Sequence, residues 1–338
     1  MKNFIKFFLA FFVGVSLFYF VVKEAGTETI FGAISLFLKP EGFIILLVTF
    51  LIVLVGAVRW KEILRSENEN VSLLTTMSYL VKGFTVDFLT PFSLFGGEAV
   101  RIFLMEKEVG VKKSAFSALT DKIMDITAHV FFLILGTVLF LFYSTIFHKT
   151  LFIYAIGTIF SILFFLFIFY ERVLKKKSFL DGIFRFLGVA KKYLDENENG
   201  KSVVDVEKKI INFFSEKKKD FLKGMALSFL RHFLLLLRVF LIVYFVVGSL
   251  DIGDAVVAYG FVILSMILPL PASLGALEAI LALAFKAMGI GVVFGVVVAI
   301  ALRTADLFVC AVGIMLFARL SLKSFYSQFK IFLKNFSE

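Results

Sequence analysis

Pro91-Phe-Ser-Leu-Phe-Gly-Gly-Glu-Ala-Val-Arg101 is the stretch on which the fold turns. A degraded version returns as Pro271-Ala-Ser-Leu-Gly-Ala-Leu-Glu278. In both copies Ser-Leu follows two residues after the proline, glycine comes next, and glutamate stands seven residues after the proline. Each copy then runs through an apolar stretch to a glycine, Gly110 or Gly289. A long apolar helix follows, carrying a base three residues before an aspartate: Lys122 and Asp125, then Arg303 and Asp306. Glutamate and base are 24 residues apart in one copy and 25 in the other. An ordered set of this kind, met twice, is an internal repeat. Pro91, Gly96, Gly97, Pro271 and Gly275 supply its breaks and tight backbone turns.

The 338-residue chain is 60% hydrophobic and holds 47 phenylalanines. A soluble domain of that size could not hide so much apolar surface. Several runs reach the roughly 18–20 apolar residues that cross a bilayer. The expected class is therefore all-α and polytopic, a single integral membrane domain. Long runs without alternating polarity exclude a β-barrel. The net charge of +10 points to loops facing a cytoplasm, not to nucleic acid. The lone cysteine, Cys310, falls inside a predicted span and cannot form an internal disulfide. Residues 1–22 begin like a signal peptide but lack a small-x-small cleavage site, so they read as a retained first helix.

About eight spans are expected: residues 4–22, 42–58, 71–90, 114–143, 151–170, 221–248, 255–268 and 292–317. Two re-entrant segments, 99–105 and 272–288, are too short to cross. Residues 30–38 are also short and read as interfacial. Arg59-Trp60-Lys61 reads as an interfacial anchor with a cytoplasmic flank. The 171–222 loop is basic at both ends, has no glycine-rich phosphate loop and suits one or two surface helices. The 319–338 tail is basic and amphipathic. Positive-inside charge bias puts the N-terminus, the loops after the second and fifth spans, and the tail on the cytoplasmic side of the cell membrane. Each of the last two intervals then holds three plain spans, an odd number. Both close if each proline–glycine segment completes a broken crossing. The repeats, about 42–143 and 221–317, then lie in opposite orientations, the inverted pattern of secondary transporters.

A charge at the bilayer centre costs roughly 2.5–3.5 kcal/mol on insertion scales, so charges kept there are paired, hydrated or functional. Glu98 and Arg101 share a helical face and can pair. Arginine's planar fork suits phosphate. Asp121, Asp125 and His129 form a stripe at spacings of four, with Lys122 placed to pair with Asp125. Asp125 and His129 also have metal-ligand spacing, but two ligands do not make a stable site, so neither a metal nor a cofactor is expected. Arg303 and Asp306 repeat the base–acid pair. Glu278 has no basic neighbour in sequence and needs a partner, water or a proton. Arg231 and Arg238 share a face; the first can snorkel, while the second is deeper.

On these residues the chain resembles the lysylphosphatidylglycerol synthase transmembrane-region family, also called flippase-like or UPF0104. Gly97-Glu98-Ala-Val-Arg101 is the most specific match. Asp125, Glu278, Arg303 and Asp306 agree by position, and Lys122 replaces a usual arginine. The family includes the membrane half of the multiple peptide resistance factor, which moves aminoacylated phosphatidylglycerol between leaflets and carries a separate soluble transferase domain. This chain ends soon after its eighth span, so the resemblance implies a lipid translocase, passive or ion-coupled, acting on a phospholipid or polyprenyl-phosphate-linked lipid. Its expected partners are membrane lipids with phosphate headgroups. The alternatives are a membrane-embedded transferase, although Asp121-Lys-Ile-Met-Asp125 lacks the CDP-alcohol phosphotransferase signature, or a membrane partner of a separate lipid-modifying enzyme.

Overall fold

The computed structural model describes residues 12, 14–21, 23, 26, 28–90, 96–143, 149–178, 198–248, 251–267, 270 and 273–318. Pro91, Pro271, most of the expected first span and the 319–338 tail lie outside them. Every regular element among the described residues is helical. In order they are α1 (Glu28–Ser35), a 3₁₀ turn (Leu36–Leu38), α2 (Pro40–Arg65), α3 (Leu73–Leu89), α4 (Gly96–Val109), α5 (Val111–Tyr143) and α6 (Lys149–Leu174). Then come α7 (Glu198–Ser215), α8 (Lys218–Val247), α9 (Ile252–Met266), α10 (Ala276–Ala287) and α11 (Val292–Ala318).

Local chemistry sets the boundaries. Pro40 opens α2, where its missing N–H costs nothing. Ser72 caps α3 by accepting from the Thr75 N–H, and Asp251 caps α9 by accepting from the Gly253 N–H. Gly248 ends α8 in the left-handed region, φ 82°. Among the described residues, five helices, α2, α5, α6, α8 and α11, are long and apolar enough to cross a membrane. The expected third span is shorter than read, since α3 has 17 residues, and the seventh, α9, has 15 and starts three residues earlier than expected. At 1.5 Å per residue they reach about 25 and 22 Å, less than a bilayer's apolar thickness of about 30 Å. Both run directly into the proline–glycine segments. Large apolar side chains such as Phe160, Phe165 and Phe167 on α6 are exposed, as lipid-facing surface requires.

Three inter-half helix pairs build the body. As α2 runs from Gly56 to Glu62, its partners on α8 run back from Arg231 through Ser228 to Lys223, so the two are antiparallel. Residues 82 and 85 of α3 likewise meet Phe317 and Gly313 of α11. Gly136 and Tyr143 of α5 meet Gly260 and Gly253 of α9. A Cβ on Gly136 would sit 2.8 Å from the Gly260 Cα, so these two backbones touch. Within each half, a short helix folds against its neighbours. The Gly97 N–H donates to Asp87 Oδ1 at 2.5 Å, and a Cβ on Gly97 would lie 2.6 Å from the Gly83 carbonyl oxygen. Only glycine lets α3 and α4 approach this closely.

The expected surface helix is α7. Its apolar face, including Val206, Ile210, Phe213 and Phe214, is buried with Phe116 of α5 and Val173 of α6. Glu67, in the turn after α2, clamps its polar side through Lys209 and through Lys217, which lies 2.8 Å away. Burial works to raise the Glu67 carboxyl, but hydrogen bonds from Lys209 and Lys217 hold it below its ordinary value. A depressed carboxylate contributes stability above its unfolded pKa, near 4.5, and loses it as pH falls through the folded value. Acidification through that window is expected to raise amide exchange along α7. Glu67→Gln should show the fast exchange already at neutral pH; an unchanged, slow α7 in the variant would remove the clamp from the account.

Candidate functional site

Two expected local pairs are replaced by longer-range ones. Lys122 does not pair with Asp125; its Nζ lies 3.1 Å from Glu98 Oε1. Arg303 does not pair with Asp306; it forks onto both Glu278 oxygens. The reason is the hairpin. Each short helix folds back along the long helix that follows it, bringing the glutamate level with a base 24 or 25 residues later. Equivalent residues therefore make equivalent pairs in the two halves.

The aspartates reach across to α2 and α8. Asp125 Oδ1 accepts from Arg59 at 2.8 Å and from Arg231 at 2.6 Å. Asp306 Oδ1 accepts from Arg238 at 2.8 Å. Arg238 follows Arg59 by 179 residues, as Glu278 follows Glu98 by 180 and Asp306 follows Asp125 by 181. Arg59 is thus the first-half counterpart of Arg238, and the repeat extends to α2 and α8.

This overturns the anchor reading of Arg59-Trp60. Arg59 is 2% exposed and Trp60 is fully buried. Arg59 also donates to Asp121 at 2.6 Å and to Ser228 at 2.9 Å. The Trp60 indole N–H donates to Ser117 Oγ at 3.0 Å, and the Arg101 guanidinium lies 4.1 Å from its ring centroid, a cation–π contact. Arg101 donates to Asp121 at 2.8 Å and stands 3.9 Å from Glu98, so the expected Glu98–Arg101 pair is the weaker one. Arg231 does not snorkel, because Asp125 holds it.

These side chains surround one cavity of about 270 Å³ between the halves. Six bases line it: Arg59, Arg101, Lys122, Arg231, Arg238 and Arg303. Five acids face them: Asp87, Glu98, Asp121, Asp125 and Asp306. His129 joins the wall, while Glu278 sits behind Arg303. Phe84, Phe88, Leu235 and Leu277 make the apolar part. Glu98 Oε2, Arg101 Nε and Arg238 Nε are buried without a protein hydrogen-bond partner. Unsatisfied polar atoms beside a cavity are groups waiting for a ligand, water or proton.

The family profile described as the lysylphosphatidylglycerol synthase transmembrane region matches residues 7–313, which include every charged residue of the cavity. The chain belongs to this family. Similarity to a UPF0104 membrane protein of Pyrococcus horikoshii runs over 308 residues at 26% identity, covering 84% of this chain and 88% of the relative. No solved structure matches the chain. In this lysylphosphatidylglycerol synthase transmembrane-region protein, Arg59, Asp87, Arg231 and His232 are the groups at the site to which the sequence alone assigned no site role. Arg59 had a usable signal in its repeat spacing from Arg238. Arg231 and His232 have no counterpart of their kind in the first half, where Ile52 and Val53 stand.

Proposed function

We propose that the protein translocates a phosphate-bearing lipid between leaflets of the cell membrane. The observation that carries this reading is the charged cavity between the halves. Its six bases exceed its five lining acids, and arginine forks suit a phosphate. Its volume of about 270 Å³ lies at the lower edge of small-ligand sites, roughly 300–1,000 Å³. That holds a headgroup and leaves the acyl or prenyl tails in the bilayer.

The helix pairing supports an inverted repeat. Exchanging the halves maps α2 onto α8, and the α3–α11 pair onto α9–α5. Because α2 and α8 pack antiparallel, the axis relating them lies across the helices, in the membrane plane. α4 and α10, of 14 and 12 residues, are the re-entrant arms. The movement is passive or ion-coupled, and charge bias puts both termini in the cytoplasm.

Glu98 and Arg101 are assigned to the moving headgroup. Each keeps an unsatisfied buried atom, and neither is as fully bonded as Glu278 and Arg303. In liposomes carrying a fluorescent phospholipid, Glu98→Gln and Arg101→Ala are each expected to lower translocation at least tenfold. Glu98→Gln should unfold in detergent close to the unaltered protein, whereas Arg101→Ala, which also takes a guanidinium from buried Asp121, should unfold earlier but still as a folded protein. Unchanged rates in both variants would overturn the assignment.

A further inference from the structure

We propose that Asp125, His129 and His232 bind a divalent transition-metal ion of the zinc class at the α5–α8 contact. A metal-binding atom of each lies within 4.8 Å of those of the other two. Asp125 and His129 are one turn apart on α5, and α8 brings in the third residue.

The two imidazoles are held alike. His129 Nδ1 is 2.9 Å from the Asp125 carbonyl oxygen, and His232 Nδ1 is 2.9 Å from the Ser228 carbonyl oxygen. A carbonyl oxygen can only accept, so both Nδ1 atoms carry hydrogen. Both Nε2 atoms then keep a lone pair, the tautomer in which histidine ligates a metal with its other nitrogen anchored. The rings meet edge to face with centroids 4.3 Å apart. His232 is fully buried, and its Nε2 has no hydrogen-bond partner. A buried acceptor left unmade is costly, and an ion at that position would satisfy it.

Two nitrogens and a carboxylate oxygen form the donor set of three-ligand zinc sites, which keep an open fourth position. Asp125 and His129 line the cavity, so the ion has an entry path and room for that fourth ligand. Arg59 and Arg231 both bond to Asp125 Oδ1, while Oδ2 takes neither arginine, stands 3.6 Å from His129 Nδ1 and is the oxygen left for the ion. Their positive charge opposes a dication, so the site binds more weakly than a closed structural one.

The test is metal binding by chelator-stripped protein in detergent, with Co²⁺ and Zn²⁺ as probes. The expected result is about one ion per chain, the visible spectrum of a low-symmetry cobalt site, and a thermal midpoint raised by Zn²⁺. His232→Gln and His129→Gln, which preserve much of the side-chain volume, should each weaken binding at least tenfold and remove the Zn²⁺ stabilisation. Cys310→Ser should bind like the unaltered protein, since the lone thiol lies elsewhere on α11. Absence of stoichiometric Co²⁺ binding in the unaltered protein overturns the proposal. So does equal binding by both histidine variants.

Discussion

Arg59→Ala is expected to lower stability by about 3–5 kcal/mol, the range for removing one partner of a buried ion pair. Arg59 is 2% exposed and serves Asp121, Asp125 and Ser228 together. Without it, Asp121 keeps only Arg101 and Asp125 keeps only Arg231 as arginine partners. Arg59→Lys should restore only part of the loss, because one ammonium cannot reproduce a guanidinium bonded in three directions. Denaturant unfolding in micelles measures both variants. If Arg59→Ala unfolds like the unaltered protein, the network contributes no net stability.

The second large effect is expected at the other glutamate. Arg303→Met strands Glu278, which is fully buried and bonded through both oxygens to that arginine. A loss of about 3–5 kcal/mol follows from the uncompensated charge. Adding Glu278→Leu should return most of it, since replacing both members of a buried pair by apolar groups is often neutral. Lys122→Met, the same cut in the first half, should cost less. Glu98 there still has Arg101 nearby, and Lys122 is 21% exposed towards the cavity. A double variant no more stable than Arg303→Met would show that the arginine acts through other contacts, such as its bond to the Ser273 carbonyl.

The contrast shows what the sequence could and could not convey. Apolar runs and helix-breaking residues are local signals, so the helical membrane class and most helix positions were legible. The recurrence of proline, glycine, glutamate, base and aspartate in order is likewise a signal the sequence itself carries. Pairings were not legible, since spacing on one helix predicts only intrahelical neighbours. Lys122 and Asp125 satisfy that rule and still choose Glu98 and Arg59, which the hairpin and the α2–α5 contact bring closer. Arg59-Trp60-Lys61 has the composition of a membrane-edge anchor, and nothing local separates that from a buried ion pair. Ten of the eleven charged or histidine residues weighed for the membrane interior in the sequence line the cavity, and the eleventh, Glu278, holds its wall through Arg303. The missing third member of the Asp125–His129 set lay over a hundred residues away, on a helix read only for its arginines.

Trp60 is the sole tryptophan of the chain, and its ring carries the Arg101 guanidinium at 4.1 Å. Indole emission from this protein therefore originates at a single point, directly behind the cavity wall. The field of a cation resting on the ring shifts that emission. Anything that draws Arg101 towards another partner lifts the cation away. The molecule thus contains its own optical reporter, able to register occupancy of the cavity without any label.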